Sequence, residues 1–66
     1  MTINYRFICG NDVHDFYISH LPSGWYTFAC RKGADPSDPV GRSMGGFSTR
    51  KAALNAAIHW CGYMKG

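Results

Sequence analysis

Ser43-Met44-Gly45-Gly46-Phe47-Ser48-Thr49-Arg50-Lys51-Ala52-Ala53-Leu54-Asn55-Ala56-Ala57-Ile58-His59-Trp60 is the stretch that decides the fold. It reads as a strand end, a glycine step, a helix cap and an alanine-rich amphipathic helix. Ser48 stands where an N-cap hydroxyl would accept from an orphan backbone N–H of the first turn. Phe47 and Ala52 take the positions of a hydrophobic staple. At about 100° per residue, Ala53, Leu54, Ala57, Ile58, Cys61 and Met64 form one apolar stripe, with Lys51, Asn55, His59 and Gly62 opposite. Alanines on such a stripe let a helix approach a sheet closely, and Gly62 with Gly66 favours an end nearby.

Upstream, aromatic and β-branched runs alternate between turn signals. Strands are expected over Tyr5 to Cys9, Phe16 to Leu21, Trp25 to Arg31 and Val40 to Met44, with turns at Gly10-Asn11-Asp12 and Pro22-Ser23-Gly24. Residues 33–41 contain two prolines, which a central ladder does not accommodate, and are expected to protrude as a loop. The order is β-β-β-β-α, giving an α+β domain over residues 1–66: a four-stranded, mainly antiparallel sheet covered on one face by a C-terminal helix.

A chain of 66 residues with ten aromatics has enough apolar surface for one thin core. That leaves little room for a catalytic cleft of roughly 300 Å³ or more. His14, His20, His59, Cys9, Cys30 and Cys61 lack metal-ligand spacing, and Gly45-Gly46 lacks the surroundings of a phosphate loop. No enzyme activity, metal or cofactor is therefore expected. Three widely spaced cysteines do not form an even disulfide framework and read as reduced, buried thiols. No signal-like or membrane-spanning apolar run is present, so a cytoplasmic protein without membrane contact is expected. The net charge of +3 suits nucleic acid, an acidic protein patch or an ordinary soluble surface.

Alternation along the strands then divides the sheet into two faces. Tyr5, Phe7, Cys9, Phe16, Ile18, Tyr26, Phe28 and Cys30 are expected in the core. The uncovered face is expected to carry Arg6, Ile8, Tyr17, Ser19, Trp25, Thr27, Ala29 and Arg31, with Arg42 or Ser43 from the fourth strand. Aromatics beside arginines are what binding hot spots are enriched in. The expected partner-binding set is therefore Arg6, Tyr17, Trp25, Thr27, Arg31 and Arg42. For nucleic acid, Arg6, Trp25, Arg31, Lys32, Arg42, Arg50 and Lys51 would serve, with arginine on phosphates or bases and rings stacking.

Residues from about 16 to 60 resemble known families. The run from Gly41-Arg42-Ser43-Met44-Gly45-Gly46-Phe47 through Ser48-Thr49-Arg50-Lys51-Ala52-Ala53 to Asn55-Ala56-Ala57-Ile58 is similar to the YegP-like domain, and Gly24-Trp25-Tyr26-Thr27-Phe28 to its Gly-Trp-aromatic strand opening. The segment Gly45-Gly46-Phe47-Ser48-Thr49-Arg50-Lys51-Ala52-Ala53 also resembles the DNA-binding domain of ethylene-response factors and the arm-binding domain of tyrosine integrases. That second resemblance implies a free sheet face entering the major groove, with Arg6, Trp25, Arg31 and Arg42 as counterparts by position.

The function expected from these residues is non-enzymatic binding of a protein or ribonucleoprotein complex. A phage- or mobile-element-encoded inhibitor or adaptor, of anti-CRISPR type, would fit so small a chain. The alternative is a DNA- or RNA-binding module using the same sheet face. Homodimerisation through a strand edge or the aromatic face is a further expectation for so small a core.

Overall fold

In the computed structural model, which describes residues 3–38 and 40–63, strands β1 (Arg6–Gly10), β2 (His14–Leu21), β3 (Gly24–Arg31) and β4 (Arg42–Phe47) precede helix α1 (Arg50–Tyr63). The sheet is antiparallel in the order β1-β2-β3-β4, and α1 packs chiefly on β2 and β3. The expected α+β architecture is the observed one.

Local chemistry sets the strand limits. Asn11 Oδ1 accepts from the N–H groups of Val13 (2.9 Å) and His14 (2.8 Å), closing a turn that lets β2 begin at His14, two residues before the expected Phe16. Asp38 accepts from Val40 N through Oδ1 and from Gly41 N through its backbone oxygen, each at 2.9 Å. Val40 thus lies in a turn, and β4 starts at Arg42 rather than at Val40. The expected loop joins β3 to β4 and folds through successive turns, with Asp38 N donating to the Asp35 oxygen at 2.9 Å. Pro39 within it lies outside the described residues.

The Pro22-Ser23 turn decides which way the sheet faces. With only two residues in the turn, Leu21 pairs with Gly24, His20 with Trp25, Ile18 with Thr27 and Phe16 with Ala29. Directly paired residues share a face. Phe16 and Ile18 are buried in the core as expected, and they carry Thr27 and Ala29 beneath the helix with them. This reverses the expected division of β3: Tyr26, Phe28 and Cys30 point to the other side. Tyr5 and Phe7 follow Tyr17 to that other side, where their rings meet.

Two bulges adjust the outer strands. In β1, Phe7 pairs with Tyr17 and Cys9 with Phe16, so Ile8 is the extra residue, and both Ile8 and Cys9 pack against the core. In β4, Gly45 pairs with Tyr26 and Phe47 with Trp25, leaving Gly46 as the extra residue. An inserted residue changes the facing of everything beyond it. The glycine step thereby delivers Phe47 to the helix side, where it packs against the core.

The helix cap is Thr49, one residue later than the expected Ser48. Its Oγ1 accepts from Ala52 N at 3.1 Å, and its backbone oxygen accepts from Ala53 N at 3.3 Å. From there Ala53 and Ala57 reach the sheet with no exposed surface, the close approach that alanine permits. Trp60 packs on Phe16 with ring centroids 5.6 Å apart. The contact face is rotated toward Trp60, so Ile58, expected in the stripe, is 54% exposed. Met64 of the expected stripe, and Gly66, lie outside the described residues. At the far end Asn11 Nδ2 donates to the Cys61 oxygen at 3.0 Å, tying the helix to the β1–β2 turn.

Candidate functional site

The face that α1 does not cover is aromatic. Tyr5, Phe7, Tyr17, Phe28 and Tyr26 form a continuous chain of edge-on and tilted contacts. Tyr5 sits 5.0 Å from Phe28 and 6.4 Å from Tyr17, Phe7 5.6 Å from Tyr17, and Tyr26 6.3 Å from Phe28. Phe7 is 55% exposed and the other four are half-buried. Edge-to-face pairs of this kind are worth about 0.5–1.5 kcal/mol beyond area burial, enough to hold the rings in place before anything binds.

Carboxylates border this face. Asp15 pairs with Cys30 across β2 and β3, accepts from Gly33 N at 3.1 Å and lies 3.9 Å from Lys32 Nζ. Asp35 and Pro36 line a hollow with Tyr5, and Asp38 lines a neighbouring one with Tyr5 and Phe28. Asp35 accepts from Ser37 Oγ at 2.6 Å and from Ser37 N at 2.9 Å, which holds its carboxyl below the ordinary value. Burial, followed by the charges of Asp15, Cys30 and Asp35, pushes the Tyr17 phenol above its usual value. Burial and the charges of Asp15, Asp35 and Asp38 do the same to the Cys30 thiol.

On the other side, burial and a hydrogen bond to the Cys61 side chain push Cys9 up to about 12 from an ordinary 9.0. These three shifts have one sign. The folded protein keeps protons on Cys9, Cys30 and Tyr17 at a pH where the unfolded chain has lost them. The stability they contribute is complete below about pH 9 and is lost as pH rises toward 12. Melting temperatures of reduced protein should therefore fall steadily above pH 9. A temperature unchanged from pH 8 to 11 would contradict this packing.

The residues expected to share one free face are divided between the two sides. Tyr17 lies on the open face. Arg6 pairs with Ile18, Arg31 with His14 and Arg42 with Ala29, while Trp25 and Thr27 pair with His20 and Ile18; all five belong to the helix side. Thr27 has no exposed surface, and its Oγ1 donates to the Ala53 oxygen at 2.8 Å, so it clamps helix to sheet and offers no contact to a partner. Arg6, Trp25 and Arg31, expected to read a groove, are thus away from the open face, whereas Arg42 also borders the hollow of Tyr5, Phe28 and Asp38.

The helix-side cations gather in two places. Arg31 and Arg42 border a concavity of about 390 Å³ with His14 and Asp38, and His14 Nδ1 there is buried without a hydrogen-bond partner among the described residues. Arg6, Trp25 and Arg50 border another of about 410 Å³ with Asn4 and His20. Across it His20 and Trp25 stack nearly parallel, with centroids 4.3 Å apart and 4° between planes. Lys51 is exposed beside Arg50 in the first turn of α1, and Lys32 is held at the β2–β3 end by Asp15 and the Asn11 oxygen.

Tyr5, Phe7, Tyr26 and Phe28 were missed as surface residues because their apolarity argued for the core. The pairing imposed by the two-residue turn was the signal that could have found them. Among the described residues no His, Cys and Asp group is arranged to hold a metal, and no helix is long and apolar enough to cross a membrane. Compared with models of known families, with curated proteins and with solved structures, this chain has no match.

Proposed function

We propose that this chain is a protein-binding module whose contact surface is the aromatic face of the sheet, and that its partner presents arginine or lysine side chains there. The observation that carries this reading is five contiguous rings on a sheet face that, among the described residues, no helix covers and only the loop around Pro36 borders. Large apolar patches of that kind mark interaction sites, and tyrosine is enriched where binding energy concentrates. The rings are braced against one another, so a partner meets a preorganised surface and little ordering cost is added. Asp15, Asp35 and Asp38 favour a basic partner, through charge complementarity and through cations seated on ring faces. The same carboxylates disfavour phosphates on this face. In the cell such binding would serve a small inhibitor or adaptor acting on a larger protein complex.

A pull-down from nuclease-treated bacterial lysate tests the reading, with Phe7→Ser/Phe28→Ser and Asp35→Lys/Asp38→Lys as comparison proteins. The first variant alters the open face only; the second also removes the turn bonds of Asp35 and Asp38, and circular dichroism checks that both fold. A protein retained by the wild type and lost by both variants is the expected result. Equal retention by all three, or no retained protein, would overturn it.

A further inference from the structure

We propose that the concavity between Arg6, His20, Trp25 and Arg50, on the helix side of the sheet, is a nucleotide-binding groove, with a base stacked on His20 and a phosphate held by the two arginines. Its volume of about 410 Å³ is within the range of small-ligand sites, about 300–1,000 Å³. The stacking platform is already built. Trp25 backs the His20 ring in parallel at 4.3 Å, and His20 itself is exposed. Continuing the β1–β2 pairing beyond Arg6 and Ile18 brings Asn4 opposite His20, before β1 begins. The strand that would fill the space beside the imidazole is therefore replaced by a short polar side chain. Ser19 Oγ holds that segment in place by donating to the Asn4 oxygen at 2.8 Å.

The charges around this groove favour an anion. Arg6 approaches from β1 and Arg50 from the first turn of α1, both exposed, and no carboxylate is among the described residues that line it. The positive end of the helix dipole, at Arg50, adds to the same field. A bare phosphate would use the arginines and leave the stacked pair idle. A nucleotide unit uses both. It can come from a free nucleotide or from single-stranded DNA or RNA, where stacking on aromatic rings tolerates any base. The groove and the aromatic face lie on opposite sides of the sheet, so this inference stands or falls independently of the protein-binding reading.

The test is titration of the intact chain with a fluorescein-labelled single-stranded dodecanucleotide, with AMP and with inorganic phosphate, following anisotropy and tryptophan emission at several salt concentrations. The oligonucleotide is expected to bind and to quench Trp25, with log affinity falling against log salt at a slope of about −1.4, the value for two neutralised phosphates. His20→Ala should weaken binding about 5- to 150-fold by removing the stacking surface. Arg6→Ala/Arg50→Ala should weaken it at least tenfold and flatten the salt slope. All these side chains are exposed, and circular dichroism checks that the variants fold. AMP binding nearly as tight as the oligonucleotide identifies the free nucleotide as the source. Tighter, more salt-dependent oligonucleotide binding identifies the single strand. Inorganic phosphate competing as well as AMP, binding indifferent to both variants, or no binding at low salt would overturn the proposal.

Discussion

Phe16→Ala is expected to remove a third or more of the protein's stability, whereas Phe28→Ala should cost much less. Phe16 has no exposed surface and fills the space among Ala29, Ala53, Ala57 and Trp60. Truncating such a side chain costs about 3–5 kcal/mol, from lost transfer energy and the cavity left behind. At about 0.05–0.15 kcal/mol per residue, a domain of this size has roughly 3–10 kcal/mol in all. The alanines around Phe16 are backbone-anchored and have no rotamers with which to fill the void. Phe28 is half-buried on the open face and touches only Tyr5 and Tyr26 among the rings. Its removal forfeits one edge-on and one tilted ring contact, worth about 1–2 kcal/mol beyond the area it half-buries. Urea titrations followed by circular dichroism separate the two. Comparable midpoints would mean that the helix covers the opposite face of the sheet.

Gly45→Ala is the second large effect, with an expected loss of about 3 kcal/mol. Gly45 has φ +156°, a conformation that residues with a side chain rarely adopt. An added Cβ would stand 2.6 Å from Tyr26 Cδ2 and 2.8 Å from the Trp25 oxygen. The second contact is backbone, so it cannot yield by changing a rotamer, and overpacking adds to conformational strain. Relief requires β4 to move off β3, which would withdraw Phe47 from the core. Gly33 provides the control. Its φ is +83° and a Cβ there meets nothing within 4 Å, so Gly33→Ala carries the conformational cost alone, about 1–2 kcal/mol. Equal midpoints for the two variants would show that the crowding at Tyr26 is unimportant.

The helix, the four strands and their order were legible in the sequence because each is marked by local chemistry: alanines at helical spacing, turn residues between alternating runs, and a glycine step before a hydroxyl cap. The facing of the sheet was misread. Ranking by apolarity put Tyr26 and Phe28 inside and Thr27 and Ala29 outside. The helix instead takes the smaller pair, because the β2–β3 pairing sets Thr27 and Ala29 beside Ile18 and Phe16, whose large side chains already fill the space under Ala53 and Ala57. Pro22-Ser23 already implied this, since a two-residue turn that buries Ile18 buries Thr27 as well. The bulges at Ile8 and Gly46 were not legible, since an inserted residue shows itself only against the strand it pairs with. Nor was the meeting of Arg6 and Arg50, 44 positions apart in the chain, around His20 and Trp25.

The placement of the two bulges has a consequence for self-assembly. They fall on β1 and β4, the two outermost strands, while the inner β2–β3 ladder is regular. A growing cross-β fibre needs a flat rim with an unbroken row of amide and carbonyl groups. Here one rim is five residues long and kinked at Ile8, and the other is kinked at a pair of glycines. Both rims are poor templates for polymerisation. A sheet with an aromatic face is thereby shielded from fibril growth by its own backbone.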